Sequence, residues 1–444
     1  MIAPGPKGTN MLRRSLCLAP VGICALVALA VALARAQDDE DFFEDEVIRH
    51  THAPVIGVKI TKDNWKVVYA VKGEGGVTIP ASDVAETVYA DASPDLLRGF
   101  ERVKRGYYSK AITKSFEPTI NRVKRFRKVE GKPWPLQYCL YYLGVSHLRR
   151  GERGDAAKAR GYFERLIKEV PQSRFIFAAY TGIGDAHQVE KKYTAAAAAF
   201  GAAKERFEKM SRTGGLKMDV VTAIRRRALE AHFRQGEMFD LAGEKDRTMW
   251  DRAVSVFNSV AANASRNHPD IEYRANSAAI KALVSLKSYK LAIKNARKLI
   301  AKGEKEGYTE FLGGAYLGLA DCYFIQYTDA EENDKGADPA DLVVARYNYL
   351  RVLALYFEDR TVLPKAHYRA GRCYERLAQA GEGPKATDRA VRHYSRIIAE
   401  WPGDDWSKEA KARLTALGRE PEIASAGAPR KTAEKPGSKT RKKK

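Results

Sequence analysis

At 444 residues the chain is long enough for two or three ordinary domains, or for one solenoid that grows by stacking. A hydrophobic share of 45% excludes a wholly disordered chain. A formal charge of +22 favours anionic partners: phospholipid, acidic wall polymer, acidic protein or nucleic acid. That charge is unevenly spread. Residues 1–36 carry four bases and no acid, residues 38–46 carry seven acids, and residues 421–444 carry eight bases against two acids, which leaves +19 on the body between Val47 and Glu420.

Arg13-Arg14 precede an apolar run from Leu16 to Ala34, then Ala34-Arg35-Ala36 and an acidic stretch. A positive start, a hydrophobic middle and a small-x-small site predict a secretory signal peptide over 1–36, cleaved before Gln37. The alternative is an uncleaved inner-membrane anchor over residues 16–34, since about 18 apolar residues just span a bilayer. Leucine and isoleucine occupy the positions where a lipobox before Cys17 or Cys24 needs a small residue, which argues against a lipoprotein. Residues 37–53 read as an acidic linker.

Without the leader, Cys139, Cys322 and Cys373 remain. The last two fall at one repeat position, and equivalent positions on stacked helices lie about 8–10 Å apart, beyond the roughly 7 Å reach of a disulfide. Three buried, unpaired thiols are expected. No CxxC or Cys/His cluster has zinc spacing.

Residues 54–92 change character. Val58 and Ile60 alternate with Lys59 and Thr61, and Trp65, Val67, Tyr69 and Val71 alternate with Lys66, Val68 and Ala70. Turn residues lie at Lys62-Asp63-Asn64 and Gly73-Glu74-Gly75-Gly76. Three or four short strands predict a meander or a small SH3-like β module, too small to be stable alone and expected to cap the helices that follow.

From residue 93 to 418 the pattern is helical. In the stretch Gly182–Phe207, His187, Tyr193, Ala196, Phe200 and Ala203 fall 3, 9, 12, 16 and 19 residues after Gly184. Small residues sit where two antiparallel helices touch, large ones where the space needs filling, and Lys191-Lys192-Tyr193 marks the turn. Looser copies predict seven hairpins: turns at Gly106-Tyr107-Tyr108, Gly151–Asp155, Lys191–Tyr193, Gly243–Arg247, near Tyr289, Asp329–Asp338 and Gly381–Pro384. Pro171, Pro269 and Pro402 are expected to end second helices, and the aromatics Phe163, Phe200, Phe257, Tyr349 and Tyr394 to fill the gap to the next hairpin. A helix over Trp406–Leu417 would cap the last apolar face.

This arrangement resembles the tetratricopeptide repeat, a 34-residue helical hairpin. The likeness is closest in Pro171-Gln172-Ser173, Ala178-Ala179 and Gly184-Asp185-Ala186, echoed by Trp401-Pro402-Gly403-Asp404 and Ala410. It is similar to the pattern of bacterial envelope tetratricopeptide proteins, while repeats four and five depart from it. The resemblance implies a mostly α, TPR-like α-solenoid that binds proteins or peptides and brings no catalytic residues. Projecting its register places Tyr138, Tyr141, Asp185, Gln188, Asp321, Phe324, Tyr368, Arg372 and Glu375 on the concave surface, where aromatics beside charges suit an extended peptide; aromatics at helical spacing equally fit a core. Asp185 and Asp321 read either as groove contacts or as solvated positions. His147 and His187 read as packed imidazoles rather than metal ligands.

The tail, residues 419–444, is expected to be disordered and basic, either a solubilising extension or an electrostatic attachment to anionic lipid or wall polymer. No GxxxxGK[ST], GxGxxG, HExxH, GxSxG or EF-hand spacing occurs, so no enzyme, cofactor or metal is expected. A leader argues against nucleic acid. The sequence thus favours an exported, non-catalytic scaffold of the periplasm or cell envelope binding protein or peptide partners. Its alternative is a structural envelope protein gripping anionic lipid or wall polymer. Oligomeric state is not legible.

Overall fold

The computed structural model describes residues 44–72, 75–265, 267–356 and 362–422; the leader, the first part of the acidic stretch and most of the basic tail lie outside them. The chain divides into two compact units, ending at Ala231 and beginning at His232.

The first unit opens with five antiparallel strands: β1 (Asp45–Arg49), β2 (Val55–Asp63), β3 (Val67–Lys72), β4 (Gly75–Pro80) and β5 (Val84–Val88). Their order is β4-β3-β2-β1-β5, with a 3-10 turn at Ala81–Asp83 leading into β5. This is an SH3-like module. It extends further toward the N-terminus than the sequence suggested, because β1 lies inside the stretch read as an acidic linker. Asp45 is the reason. Its buried carboxylate accepts the Ile60 N–H at 2.7 Å and the Ala90 N–H at 3.0 Å, and it pairs with Arg127. One acid of the run is therefore a staple, while Val47 behind it is fully buried.

Helices follow in antiparallel pairs. α1 (Pro94–Lys104) pairs with α2 (108–121), which carries a π turn at Ile112–Phe116. A two-stranded turn, β6 (Lys128–Val129) with β7 (Lys132–Pro133), leads to α3 (Pro135–Arg150) and α4 (Asp155–Glu169), then α5 (Ile176–Val189) and α6 (Tyr193–Ser211). α7 (Met218–Ala242) crosses from the first unit into the second. The second unit continues with α8 (Thr248–Ala264), α9 (Pro269–Ser285), α10 (Tyr289–Glu306), α11 (Gly313–Glu332), α12 (Pro339–Leu355), α13 (Leu363–Leu377) and α14 (Pro384–Glu400), closed by α15 (Asp405–Ala416). Seven hairpins and a cap are thus present among the described residues.

Within each unit, successive helices pack on one another, and first helices also meet: α3 with α5, α9 with α11, α13 with α15. The glycines of first helices set this closeness. A Cβ on Gly144 would stand 2.5 Å from the Phe163 ring, on Gly184 2.7 Å from Phe200, on Gly236 2.6 Å from Phe257, and on Gly371 2.6 Å from Tyr394. Phe163, Phe200, Phe257 and Tyr394 therefore lie over the glycine of their own hairpin, and Phe163 also covers Gly182 of the next, while Tyr349 and Tyr394 share clusters with residues of the following helices. Repeat five keeps the register that its sequence obscured. In its turn Lys287 adopts φ 59 as Lys191 adopts φ 58 in repeat three, and Ser288 N–H bonds Leu283 O at 2.9 Å as Lys192 N–H bonds His187 O at 2.9 Å.

Pro171 and Pro402 follow the ends of α4 and α14 as expected. Pro269 does not follow an end; it occupies the first turn of α9, where its missing N–H costs nothing. Cys139, Cys322 and Cys373 are buried free thiols, and burial raises each above the ordinary thiol range.

Candidate binding cleft of the first unit

The β module is locked onto the second and third hairpins by a buried polar network. Asp63 Oδ2 accepts the hydroxyls of Tyr89 at 2.7 Å and Tyr138 at 2.6 Å, and the Gln137 amide at 3.2 Å. Burial first, then the nearby Asp63, raises both phenols, so they stay protonated and donate. Arg174 lies 3.5 Å from Asp63 Oδ1 and donates to Thr87 Oγ1 at 3.0 Å. The Trp65 indole donates to Gln172 Oε1 at 2.9 Å, and Asn64 forms a bridge with Ser173. Asp63 and Asn64 were read as turn chemistry; nothing in the sequence marked them as partners of residues about seventy or more positions away.

Beside this lock lies a cleft of about 290 Å³, its walls given by the β1–β2 and β2–β3 turns, the 3-10 turn, the start of α5 and the first turns of α7. Its apolar lining includes Trp65, Phe175, Phe177, Val220 and Ile224. Trp65 meets Phe177 edge-on at 5.9 Å, and Phe177 meets Phe207 at 4.9 Å. Four basic residues, His50, Lys66, Arg174 and Arg227, also line it, and among the described residues no aspartate or glutamate does. Asp63 partly balances Arg174. Among the described residues Lys66 and Arg227 make no ion pair and rest instead on rings, Lys66 Nζ 5.1 Å from the Trp65 centroid and Arg227 Cζ 4.9 Å from that of Phe177. Two helix starts, at Ile176 and Met218, add the positive ends of their dipoles. An acidic group placed there gains charge pairing above an apolar floor. A depression along α1, about 370 Å³, is lined by Arg98, Glu101, Arg102, Arg105, Tyr107 and Lys110 and includes a carboxylate.

The residues projected onto a concave groove are distributed otherwise. Tyr138, Asp321, Phe324, Tyr368 and Glu375 are buried. Tyr138 belongs to the lock. Asp321 accepts the Tyr349 hydroxyl at 2.7 Å and pairs with Lys365. Phe324 lies in the core with Tyr349, and Tyr368 packs against Tyr394 and Trp406. Glu375 accepts the Tyr394 hydroxyl at 2.9 Å and pairs with Arg413, with Arg372 beside it at 3.7 Å. These side chains join helices, and neither acid at the Asp321 or Glu375 position is solvated. Tyr141 stacks on Phe175 at 4.3 Å, while Asp185 and Gln188 are half-buried.

His147 is a packed imidazole: buried, its Nδ1 2.8 Å from Asp155 Oδ1, its ring stacked on Tyr162. His187 is half-buried 4.0 Å from Glu190, and burial, then Arg160, holds it below the ordinary imidazole value. No helix among the described residues is long and apolar enough to cross a membrane.

Comparison with protein families finds the tetratricopeptide repeat at residues 138–173 and 365–404, that is, in the second and seventh hairpins. The third hairpin lies outside both, although Pro171-Gln172-Ser173 just before it closes the first match. Comparison with curated proteins gives no match. Among solved structures, the chain is similar to the C-terminal part of a TPR repeat-containing protein from Cytophaga hutchinsonii, at 13% identity and TM-score 0.41, covering 70% of this chain and 98% of that one. It is also similar to BtubC (BKLC) from P. vanneervenii, at 14% identity and TM-score 0.37, covering 66% of this chain and 99% of that one.

Proposed function

We propose that this protein is an exported, non-catalytic scaffold of the bacterial cell envelope that holds a protein partner through an acidic peptide segment. The tetratricopeptide repeats support a protein-interaction role, and the leader pattern of residues 13–36 supports export. The observation that carries the partner's chemistry is the cleft of the first unit: basic side chains on aromatic rings, with no acid in the lining among the described residues. The peptide's carboxylates meet Lys66 and Arg227, and an apolar or aromatic side chain beside them reaches the floor of Trp65, Phe177 and Ile224. Aromatic anchors framed by charges are the usual seat of binding energy in such contacts.

The test is a photo-crosslinker placed at the exposed Ser82 on the cleft rim, in the full chain expressed in its own cells, with mass determination of the N-terminus in the same sample. A mature end at Gln37 and crosslinks to an acidic segment of a specific protein support the reading. An intact leader, or crosslinks that persist unchanged when Lys66 and Arg227 are made glutamine, contradict it.

A further inference from the structure

We propose that the turn between the first and second hairpins is a docking surface for a bilayer rich in anionic phospholipid. Residues 122–132 hold Arg122, Lys124, Arg125, Lys128 and Lys132, all exposed. Among the described residues none of the five meets a carboxylate in ion-pair range. The one acid of the segment, Glu130, accepts the Asn64 amide at 2.7 Å. Arg127, between them, is spent on Asp45 and Asp91.

The segment is held. Arg122 N–H bonds Thr119 O at 3.1 Å, Arg125 N–H bonds Arg122 O at 3.0 Å, Phe126 N–H bonds Val123 O at 3.1 Å, and Trp134 N–H bonds Arg127 O at 3.2 Å. Lys128 pairs with Pro133 and Val129 with Lys132 across β6 and β7. The backbone is thus ordered before any ligand arrives, so binding costs little backbone entropy.

What the surface lacks selects its partner. A protein interface is built around a desolvated apolar or aromatic anchor, and no large exposed hydrophobic lies between residues 119 and 133. Single-stranded nucleic acid calls for exposed rings to stack on, but Phe126 is turned onto Trp134 at 6.0 Å. Headgroups of an anionic bilayer need only charge at the surface, and each basic group there contributes about fivefold in binding.

The experiment is flotation of the full chain with vesicles of phosphatidylcholine alone and of an equal mixture with phosphatidylglycerol. The wild type is compared with Lys124→Gln/Arg125→Gln/Lys128→Gln and with a tail variant in which Arg441, Lys442, Lys443 and Lys444 are glutamine. Circular dichroism confirms that each is folded. The proposal expects binding to the charged vesicles only, weakened roughly a hundredfold by the turn variant and lost at high salt. It is overturned if the turn variant floats like the wild type, if the tail variant alone abolishes flotation, if neutral vesicles bind equally, or if duplex DNA displaces the protein from the vesicles at stoichiometric amounts.

Discussion

Gly144 and Gly161 separate two uses of one residue. Gly144 has the Phe163 ring where its Cβ would be, whereas nothing lies within 4 Å of a Cβ at Gly161 in the middle of α4. Gly144→Ala should therefore destabilise by about 1–3 kcal/mol through overpacking, while Gly161→Ala should stabilise by up to about 1 kcal/mol. Urea unfolding measures both, and equal effects would contradict the packing account. Lys191 adds a backbone case. At φ 58 it occupies the left-handed region, so Lys191→Gly should raise stability by up to about 1 kcal/mol, read from the same denaturation. At this scale the sequence was legible where size alone decides, as in the small residues of Gly182–Phe207. It was not legible for Asp45, Asp63 or Glu375, whose burial depends on partners far along the chain. The projected groove residues illustrate this: register says which face of a helix a residue takes, not whether another helix covers it.

The seventh hairpin contains a packed pair of histidines, His367 buried and His393 half-buried. His367 Nδ1 and His393 Nδ1 lie 2.9 Å apart, with Trp401 and Tyr374 against the rings. Burial holds His367 down at about 3, with His393 as a second cause, and holds His393 at about 4, with Arg396 as its second cause. Because the folded values lie below the ordinary 6.5, the unfolded chain takes up protons that the native hairpin refuses. Stability is thus full above about pH 7 and falls as pH drops below 6.5 toward those values. We expect a loss of about 2 kcal/mol per histidine, of order 4 kcal/mol for the pair, between about pH 7 and 5, visible as a lower urea midpoint and reduced in a His367→Leu/His393→Leu chain. A flat profile would show that the pair is solvated. The hairpins themselves were legible from turn chemistry and small-residue spacing, down to the cap at α15. The register of β1 was not, because seven acids in nine residues read as solvent-facing until Arg127 is seen to reach one of them.

At the scale of the whole chain, composition argued for a folded chain and the repeats for successive helical hairpins, and such hairpins are present in each of the two units. The cleft was not anticipated, since its walls come from residues 50, 65–66, 81–84, 174–178 and 220–227 and no local motif joins them. The most direct measurement is a fluorescence-anisotropy titration of the full chain with a labelled peptide alternating glutamate and phenylalanine, alongside one with lysine in place of glutamate. The account predicts saturable binding of the acidic peptide only. Lys66→Glu/Arg227→Glu should abolish it and create affinity for the lysine peptide. The Lys124→Gln/Arg125→Gln/Lys128→Gln chain should bind the acidic peptide as the wild type does. Equal affinity for both peptides, or no effect of the charge reversal in a folded protein, would contradict the assignment of the cleft.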